Sequence, residues 1–393
     1  MTTPHDFDAP VERRGTDCLK WDAKERLQGL EGDDVISMWI ADSDFRTPDV
    51  VRDAIHRIAD FGVPAYFGGL DRLQNAVAWW METRHGWSPD PSHILLTGGL
   101  GNAIAMLIDA LTEPGQPVLT FTPVYHEFGG KIARSGRRAL EAPLKVVDGR
   151  QTLDLDAAEA LVTSDTRLML FCSPNNPGGR VWTKEELQSV ANFAVKHDLI
   201  LVSDEIHHDL VYPGHHFAPM AHCDGIEDRL VTLTAPSKTF NTAGLRCGQM
   251  TIANDALRRK MAQVLTVWQI QPNMAGVEAT IAAYSPEGAD YVDQQVAYLD
   301  GNRRAFDAAV NAIPGARSME LEGTFLSWVD FSDTGMDDAE IQERVIKRAR
   351  IVPSLGPTFG KGGEKHLRFN FATQRVHVEE AVDRLQAAFS DLQ

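Results

Sequence analysis

Between residues 94 and 252, short apolar runs alternate with stretches long enough to be helices, and this alternation restricts the fold more than any other feature of the chain. The runs at 94–97, 118–121, 167–172, 199–203, 230–234 and 248–252 are rich in β-branched and large apolar residues, as strands buried on both faces must be. Helical periodicity fills the intervals 102–111, 126–134 and 183–196. The last of these opens with Thr183 and Glu186 in the spacing of a capping box. Strand, helix and strand in repeated order require crossover connections, so the expected fold class is α/β with a mostly parallel central sheet. Such sheets bind ligands beyond the carboxyl ends of their strands, and chemistry is sought there.

The flanking regions have a different texture. A helix is expected from 47–49 onward, with Thr47 or Asp49 as its cap, and a second over 70–83, with a glycine and aromatic run at 61–69 between them. Beyond 252, helical patterns cover 255–284, with a break at Gln271-Pro272, and then 289–313, 337–349 and 378–389. Strands are expected at 324–329 and 366–372, which together describe a smaller α+β domain. A chain of 393 residues exceeds what one core usually holds. The expected division is 1–45 as an N-terminal arm and small-domain segment, 46–285 as the large domain, and 286–393 as the small C-terminal domain.

Charge and cysteine usage narrow the partners. A net charge of −17 leaves no broad positive field for nucleic acid or an anionic membrane. No run of 18 apolar residues is present, and the acidic start of the chain lacks the basic-then-apolar pattern of a secretory signal. The four cysteines show no metal-ligand spacing and suit a reducing compartment. A cytoplasmic enzyme acting on a small molecule is therefore expected, with no metal.

Four strand ends carry candidate chemistry. Lys238, in Thr234-Ala-Pro-Ser-Lys-Thr-Phe-Asn241, follows a strand, and a lysine placed and desolvated there can form a Schiff base with an aldehyde. Most lysines, however, are simply exposed. Asp204 and Glu205 follow another strand, where an acid can pair with a protonated ring nitrogen, cap a helix or bind magnesium. His207 nearby can donate to a ring oxygen or cap a turn. Asn175 and Asn176, bracketed by Pro174 and Pro177, have fixed directions and can bind a cofactor oxygen or form an Asx-turn. The turn Thr97-Gly-Gly-Leu-Gly-Asn102 opens into a helix without the closing residues of a Walker loop, and a turn of this kind suits an anion such as phosphate. The adjacent pairs His207-His208 and His215-His216 form no closed metal-ligand set.

These residues together resemble the fold-type I pyridoxal-phosphate enzymes of the aspartate aminotransferase superfamily, and within it the branch of cystathionine β-lyase-like carbon–sulfur lyases. The resemblance spans nearly the whole chain. Its branch marks are Asp17-Cys-Leu-Lys-Trp-Asp22, Met38-Trp-Ile-Ala-Asp-Ser-Asp-Phe45 and Ser203-Asp-Glu-Ile-His207 with Asp209-Leu-Val211. It implies pyridoxal 5'-phosphate as cofactor, with Lys238 as the Schiff-base lysine and Asp204 as the pyridinium partner. It further implies Asn176 on the ring oxygen, His207 where aminotransferases have a tyrosine, and Tyr125 stacked on the ring. Gly99, Leu100 and Gly101 match the phosphate cradle, with Ser237 and Arg246 as its side-chain contacts. Arg368 matches the arginine that holds the substrate α-carboxylate. Tyr66 matches a tyrosine sent to the neighbouring subunit's phosphate, which implies a homodimer with shared sites. The implied reaction is β-elimination from cystathionine or a cysteine S-conjugate, with transamination or another amino-acid reaction as the alternative. The chain departs from the branch at Asn175, Cys18 and Ser43, and its Arg246 is a feature shared with aminotransferases.

Overall fold

The expected apolar runs form one seven-stranded sheet in the computed structural model, which describes residues 4–23, 30 and 32–392. In chain order its strands are β1 (Ile94–Thr97), β2 (Pro117–Thr122), β3 (Arg138–Pro143), β4 (Leu168–Cys172), β5 (Ile200–Asp204), β6 (Leu230–Thr234) and β7 (Gly248–Thr251). Their spatial order is β1-β7-β6-β5-β4-β2-β3. β7 runs antiparallel to both neighbours, and all other pairings are parallel. Side chains alternate between two apolar layers because a strand has a period of two. Leu168 and Leu170 pack with Ile104 and Leu107 of the Leu100–Leu111 helix, whereas Met169 and Phe171 pack with Leu187 and Val190 of the Lys184–Lys196 helix. Leu170 is fully buried, and truncating it to alanine would cost roughly 2–5 kcal/mol.

Strand β3 was not legible as a strand. It lies at the sheet edge, is partly exposed and ends in Pro143, which an edge tolerates. The helix expected from 102 begins at Leu100, so the glycine turn is its first turn. The helix near 49 spans Asp49–Phe61 and is preceded by Pro48 with no side-chain cap, in place of the Thr47 or Asp49 cap expected. Thr183 and Glu186 do form both halves of a capping box. The break near 271 separates helices Asp255–Trp268 and Met274–Ala283, the second capped by Asn273. The pattern at 337–349 becomes Asp338–Gln342 followed by a wider π turn, Glu343–Arg348.

A second, antiparallel sheet has the order β8-β9-β11-β10, from β8 (Arg317–Ser318), β9 (Leu326–Asp330), β10 (Ser354–Leu355) and β11 (His366–Asn370). Helices Pro286–Val310 and Arg375–Ala388 share its apolar core. The arm joins this unit, since Ile36 and Ser37 pair in parallel with Ile351 and Val352. It then enters the space between the two sheets, where Met38 and Ala372 carbonyls accept from the Asn370 and Asp44 amides. Buried Asp44 pins it there, meeting Lys20 at 2.8 Å, Arg13 at 2.7 Å and the Trp21 indole at 2.8 Å. No helix of the described residues is long and apolar enough to cross a membrane. Of the expected arm, residues 1–3, 24–29 and 31 lie outside the described residues, as does 393 of the C-terminal domain.

Candidate active site

One cavity at the carboxyl end of the large sheet collects Gly99, Leu100, Gly101, Tyr125, Asn176, Asp204, His207, Ser237, Lys238 and Arg246. These residues are the last of β5 and members of the segments following β1, β2, β4, β5 and β6, and parallel strands converge their ends in this way. Of the sequence-derived candidates, Tyr66, Arg368, Asn175 and Glu205 do not line it; Glu205 is buried beside it, where its Oε1 accepts from Ser203 Oγ and the Met220 amide.

At one end the backbone itself offers donors. Gly99 has φ +105°, a conformation that side-chain-bearing residues rarely adopt, and its carbonyl accepts from the Asn102 and Ala103 amides. The Leu100 and Gly101 amides therefore precede the first helical hydrogen bond, at the positive end of a 12-residue helix. Ser237 and Arg246 complete this end. Arg246 is exposed, and its guanidinium makes no hydrogen bond within the described residues.

The opposite end is buried and polar. Asp204, the last residue of β5, accepts from the Ile206 amide at 3.2 Å. Burial lifts its pKa to about 6, opposed by that amide and by Lys238. His207 is 1% exposed, and its Nδ1 has no hydrogen-bond partner. Burial, reinforced by Lys238 and Arg368, holds its pKa well below the ordinary value, so the imidazole is neutral. Burial likewise pushes Tyr125 up to about 12, which keeps it a phenol.

Lys238 reaches across to the arm, where Nζ donates to the Ala41 carbonyl at 2.6 Å. It lines the cavity and is half-buried. Burial lowers its pKa to about 8, against the opposing charge of Asp42. Arg368, on β11, is 2% exposed and donates to Asn176 Oδ1 at 2.9 Å and to Ser354 Oγ at 3.0 Å. It also donates to the Trp39 carbonyl, while its Nε has no partner. Asn176 spends its oxygen on Arg368, so its amide hydrogens remain as the donors facing the cavity.

The two asparagines divide the roles that their sequence left open. Asn175 Oδ1 accepts from the Gly178 amide at 2.9 Å, an Asx-type turn. A Cβ on Gly178 would sit 1.9 Å from Gln151 Oε1, so any side chain there would have to displace Gln151. The contacts made by Ala41, Trp39 and Ser354 were not foreseen. Two of these are backbone carbonyls, which carry no residue-type signal, although the segment 38–45 stood out as a motif.

The donor set suits a phosphorylated pyridine aldehyde. An amine with a lowered pKa meets the aldehyde chemistry, and a carboxylate beyond a strand end meets a ring cation. The unpartnered His207 Nδ1 and the Asn176 amide meet a ring oxygen. The free helix-start amides with Ser237 and Arg246 meet a phosphate. The family model for aminotransferase class I and II matches residues 33–385. Cystathionine beta-lyase PatB of Bacillus subtilis is 34% identical, with 98% of this chain and 100% of that protein aligned. Aromatic-amino-acid aminotransferase 2 of Thermococcus litoralis is 30% identical, with 93% of each aligned. Cystalysin from Treponema denticola, a solved structure containing pyridoxal 5'-phosphate, superposes with a TM-score of 0.94 at 32% identity, covering all of both chains. The chain belongs to the class I and II aminotransferase family, and is a pyridoxal-phosphate enzyme of fold type I.

Proposed function

We propose that this enzyme is a carbon–sulfur β-lyase, converting cystathionine or a cysteine S-conjugate and water into pyruvate, ammonia and a thiol. The observation that carries this reading is His207, a neutral imidazole with an unpartnered nitrogen where aminotransferases of the superfamily have a tyrosine. Support comes also from the lyases among the relatives, PatB of Bacillus subtilis and the carbon–sulfur lyase of Staphylococcus hominis.

When bound, pyridoxal phosphate supplies an electron sink for the charge that develops at the substrate α-carbon. The Leu100 and Gly101 amides, Ser237 and Arg246 would hold its phosphate, and Asp204 its ring nitrogen. Arg368 binds the substrate α-carboxylate, and its bonds to Asn176 and Ser354 fix the guanidinium in place. The Lys238 amine, with a pKa near the working pH, takes the α-proton at Nζ. The arm, held by Asp44, lays the Ala41 carbonyl beside that nitrogen. Departure of the thiolate from the β-carbon requires the side chain to be held in one pose, which falls to the residues at the mouth.

The reading extends to assembly. Tyr66 is fully exposed and does not line its own chain's cavity, and Phe61, Val63, Val267 and Trp268 are also large exposed apolar side chains. Tyr66 shares a groove with Gln269 and Ile270, at the end of the helix that carries Val267 and Trp268. A symmetric dimer covering this face would place Tyr66 at the partner's phosphate. Four free cysteines accord with a cytoplasmic location. Transamination is the second reading, favoured by Arg246 and by the Thermococcus litoralis aminotransferase.

The test is incubation with cystathionine, cysteine, an S-alkyl cysteine and alanine, each with and without a 2-oxo acid. Pyruvate, ammonia and thiol released without the 2-oxo acid are expected. New amino acid formed only with the 2-oxo acid would establish the aminotransferase instead.

A further inference from the structure

Asp209 lies outside the cavity and is fully buried, yet its carboxylate joins two loops that build the site to a helix behind them. Oδ1 accepts from the Trp80 indole at 3.0 Å and from His85 Nε2 at 2.8 Å, both on the Leu70–His85 helix. Oδ2 accepts from the Thr239 hydroxyl at 2.9 Å, on the residue that follows Lys238. Asp209 itself sits two residues beyond His207, in the loop that leaves Asp204. One side chain thus ties the lysine loop to the loop carrying the carboxylate and the imidazole.

The fourth contact is His208. Its Nδ1 is 2.6 Å from the Glu205 carbonyl, which can only accept, so Nδ1 carries a proton. Its Nε2 is buried, has no hydrogen-bond partner and lies 3.3 Å from Asp209 Oδ2. A bare Nε2 would set a lone pair against a carboxylate. Either a proton on Nε2, which makes His208 an imidazolium held by Asp209 against the lowering of its pKa by burial, or a cation among His85, His208 and Asp209 removes that conflict. The ligand atoms of these three residues lie within 4.8 Å of one another. The count of acceptor sites decides between them. A carboxylate offers about four lone-pair directions, and Trp80, His85 and Thr239 occupy three. The fourth faces His208, and His85 Nε2, which carries the proton it donates to Oδ1, has no lone pair for a metal. Burial alone would raise the Asp209 pKa, yet His208 and the bond from His85 hold it below the usual carboxylate range.

We propose that Asp209 is a positioning residue, which through Thr239 sets the Lys238 amine relative to Asp204 and His207. The proposal rests on the reading of Lys238 as the cofactor lysine. It accounts for a carboxylate that is fully satisfied, fully buried and absent from the chemistry. The groups facing Lys238 are Asp42 of the arm, Asp204 of β5 and Arg368 of β11, so a shift of the lysine loop changes the field at its nitrogen.

The test uses purified holoenzyme and the variants Thr239→Val, Thr239→Ser and Asp209→Asn. A hydrogen bond to a charged acceptor corresponds to a factor on the order of ten to a hundred. Thr239→Val should release cofactor at least about tenfold faster and move the pH midpoint of the visible cofactor band, with its melting temperature within a few degrees of wild type. Thr239→Ser should restore both readouts. Asp209→Asn should follow Thr239→Val, with an added loss of thermal stability from Trp80 and His85. A folded Thr239→Val enzyme with wild-type release rate and band midpoint would overturn the proposal. So would a Thr239→Ser enzyme that behaves like the valine variant, or a stoichiometric divalent cation found by elemental analysis of the holoenzyme. A wild-type protein with no visible band after addition of pyridoxal phosphate would refute the cofactor-lysine reading and this inference with it.

Discussion

Replacing Arg368 with methionine separates substrate binding from folding. Arg368 has no carboxylate partner among the described residues, although it is 2% exposed and packs over Phe359 at 4.9 Å. Burial brings its pKa from 12.5 down to about 10, which disfavours the cation by about 3 kcal/mol at neutral pH. Against this stand three hydrogen bonds from a charged donor, to Asn176, Ser354 and the Trp39 carbonyl, at about 1.5–3 kcal/mol each. The hydrogen bonds exceed that cost by a few kcal/mol, so Arg368→Met should lower the melting temperature by only a few degrees in a chain of this size and leave the protein folded. Catalysis should respond very differently. A substrate carboxylate left unpaired in a buried site costs about 2–5 kcal/mol, or a fall in kcat/KM of about 30-fold to 4,000-fold. The assays are calorimetry of the apoprotein and steady-state kinetics of the cofactor-saturated enzyme. A variant with kcat/KM within about fivefold of wild type would refute the assignment, and loss of cofactor in place of substrate affinity would show that the two arginines are interchanged.

Other outcomes follow from the same geometry. In the apoprotein, Lys238 should react with an acylating reagent with a midpoint near pH 8, whereas exposed lysines require about pH 10.4. Asp204 has a folded pKa of about 6, above the 3.8 of the unfolded chain, so its stabilising contribution is present below about pH 4 and lost as pH rises through 6. The Asp204→Asn apoprotein should therefore match wild type at pH 4 and exceed it by about 3 kcal/mol at pH 7.5 in denaturant titration, while losing affinity for the cofactor. Mixing Tyr66→Phe with Lys238→Ala subunits should restore some activity through heterodimers that contain one intact site. Light scattering that finds an active monomer would contradict the shared site.

The features legible in the sequence were those that a few consecutive residues determine. Strands β1 and β6 were bounded to the residue, because apolar runs between turn signals leave little choice. The segments after β4, β5 and β6 likewise announced Asn176, Asp204 and Lys238, because chemistry-bearing residues there stand out against apolar strands. Partners distant in sequence were not legible. Trp80 and His85 meet Asp209 across more than 120 residues, and no local pattern records this. Lys238 meets a carbonyl of Ala41, an interaction any residue type could supply. Strand β3 escaped because edge strands need no apolar run. The start of the Leu100–Leu111 helix escaped because glycines at 98, 99 and 101 look like a turn even where helix has begun.

The most direct measurement of the proposed chemistry is a count of turnovers per active site without any 2-oxo acid. Purified holoenzyme is mixed with excess S-alkyl cysteine, and thiol and pyruvate are followed together. β-Elimination regenerates the enzyme at every cycle, so thiol and pyruvate should appear in equal amounts and pass many equivalents per site. A single equivalent per site of a 2-oxo acid with its carbon–sulfur bond intact, followed by arrest until another 2-oxo acid is added, would contradict the lyase reading.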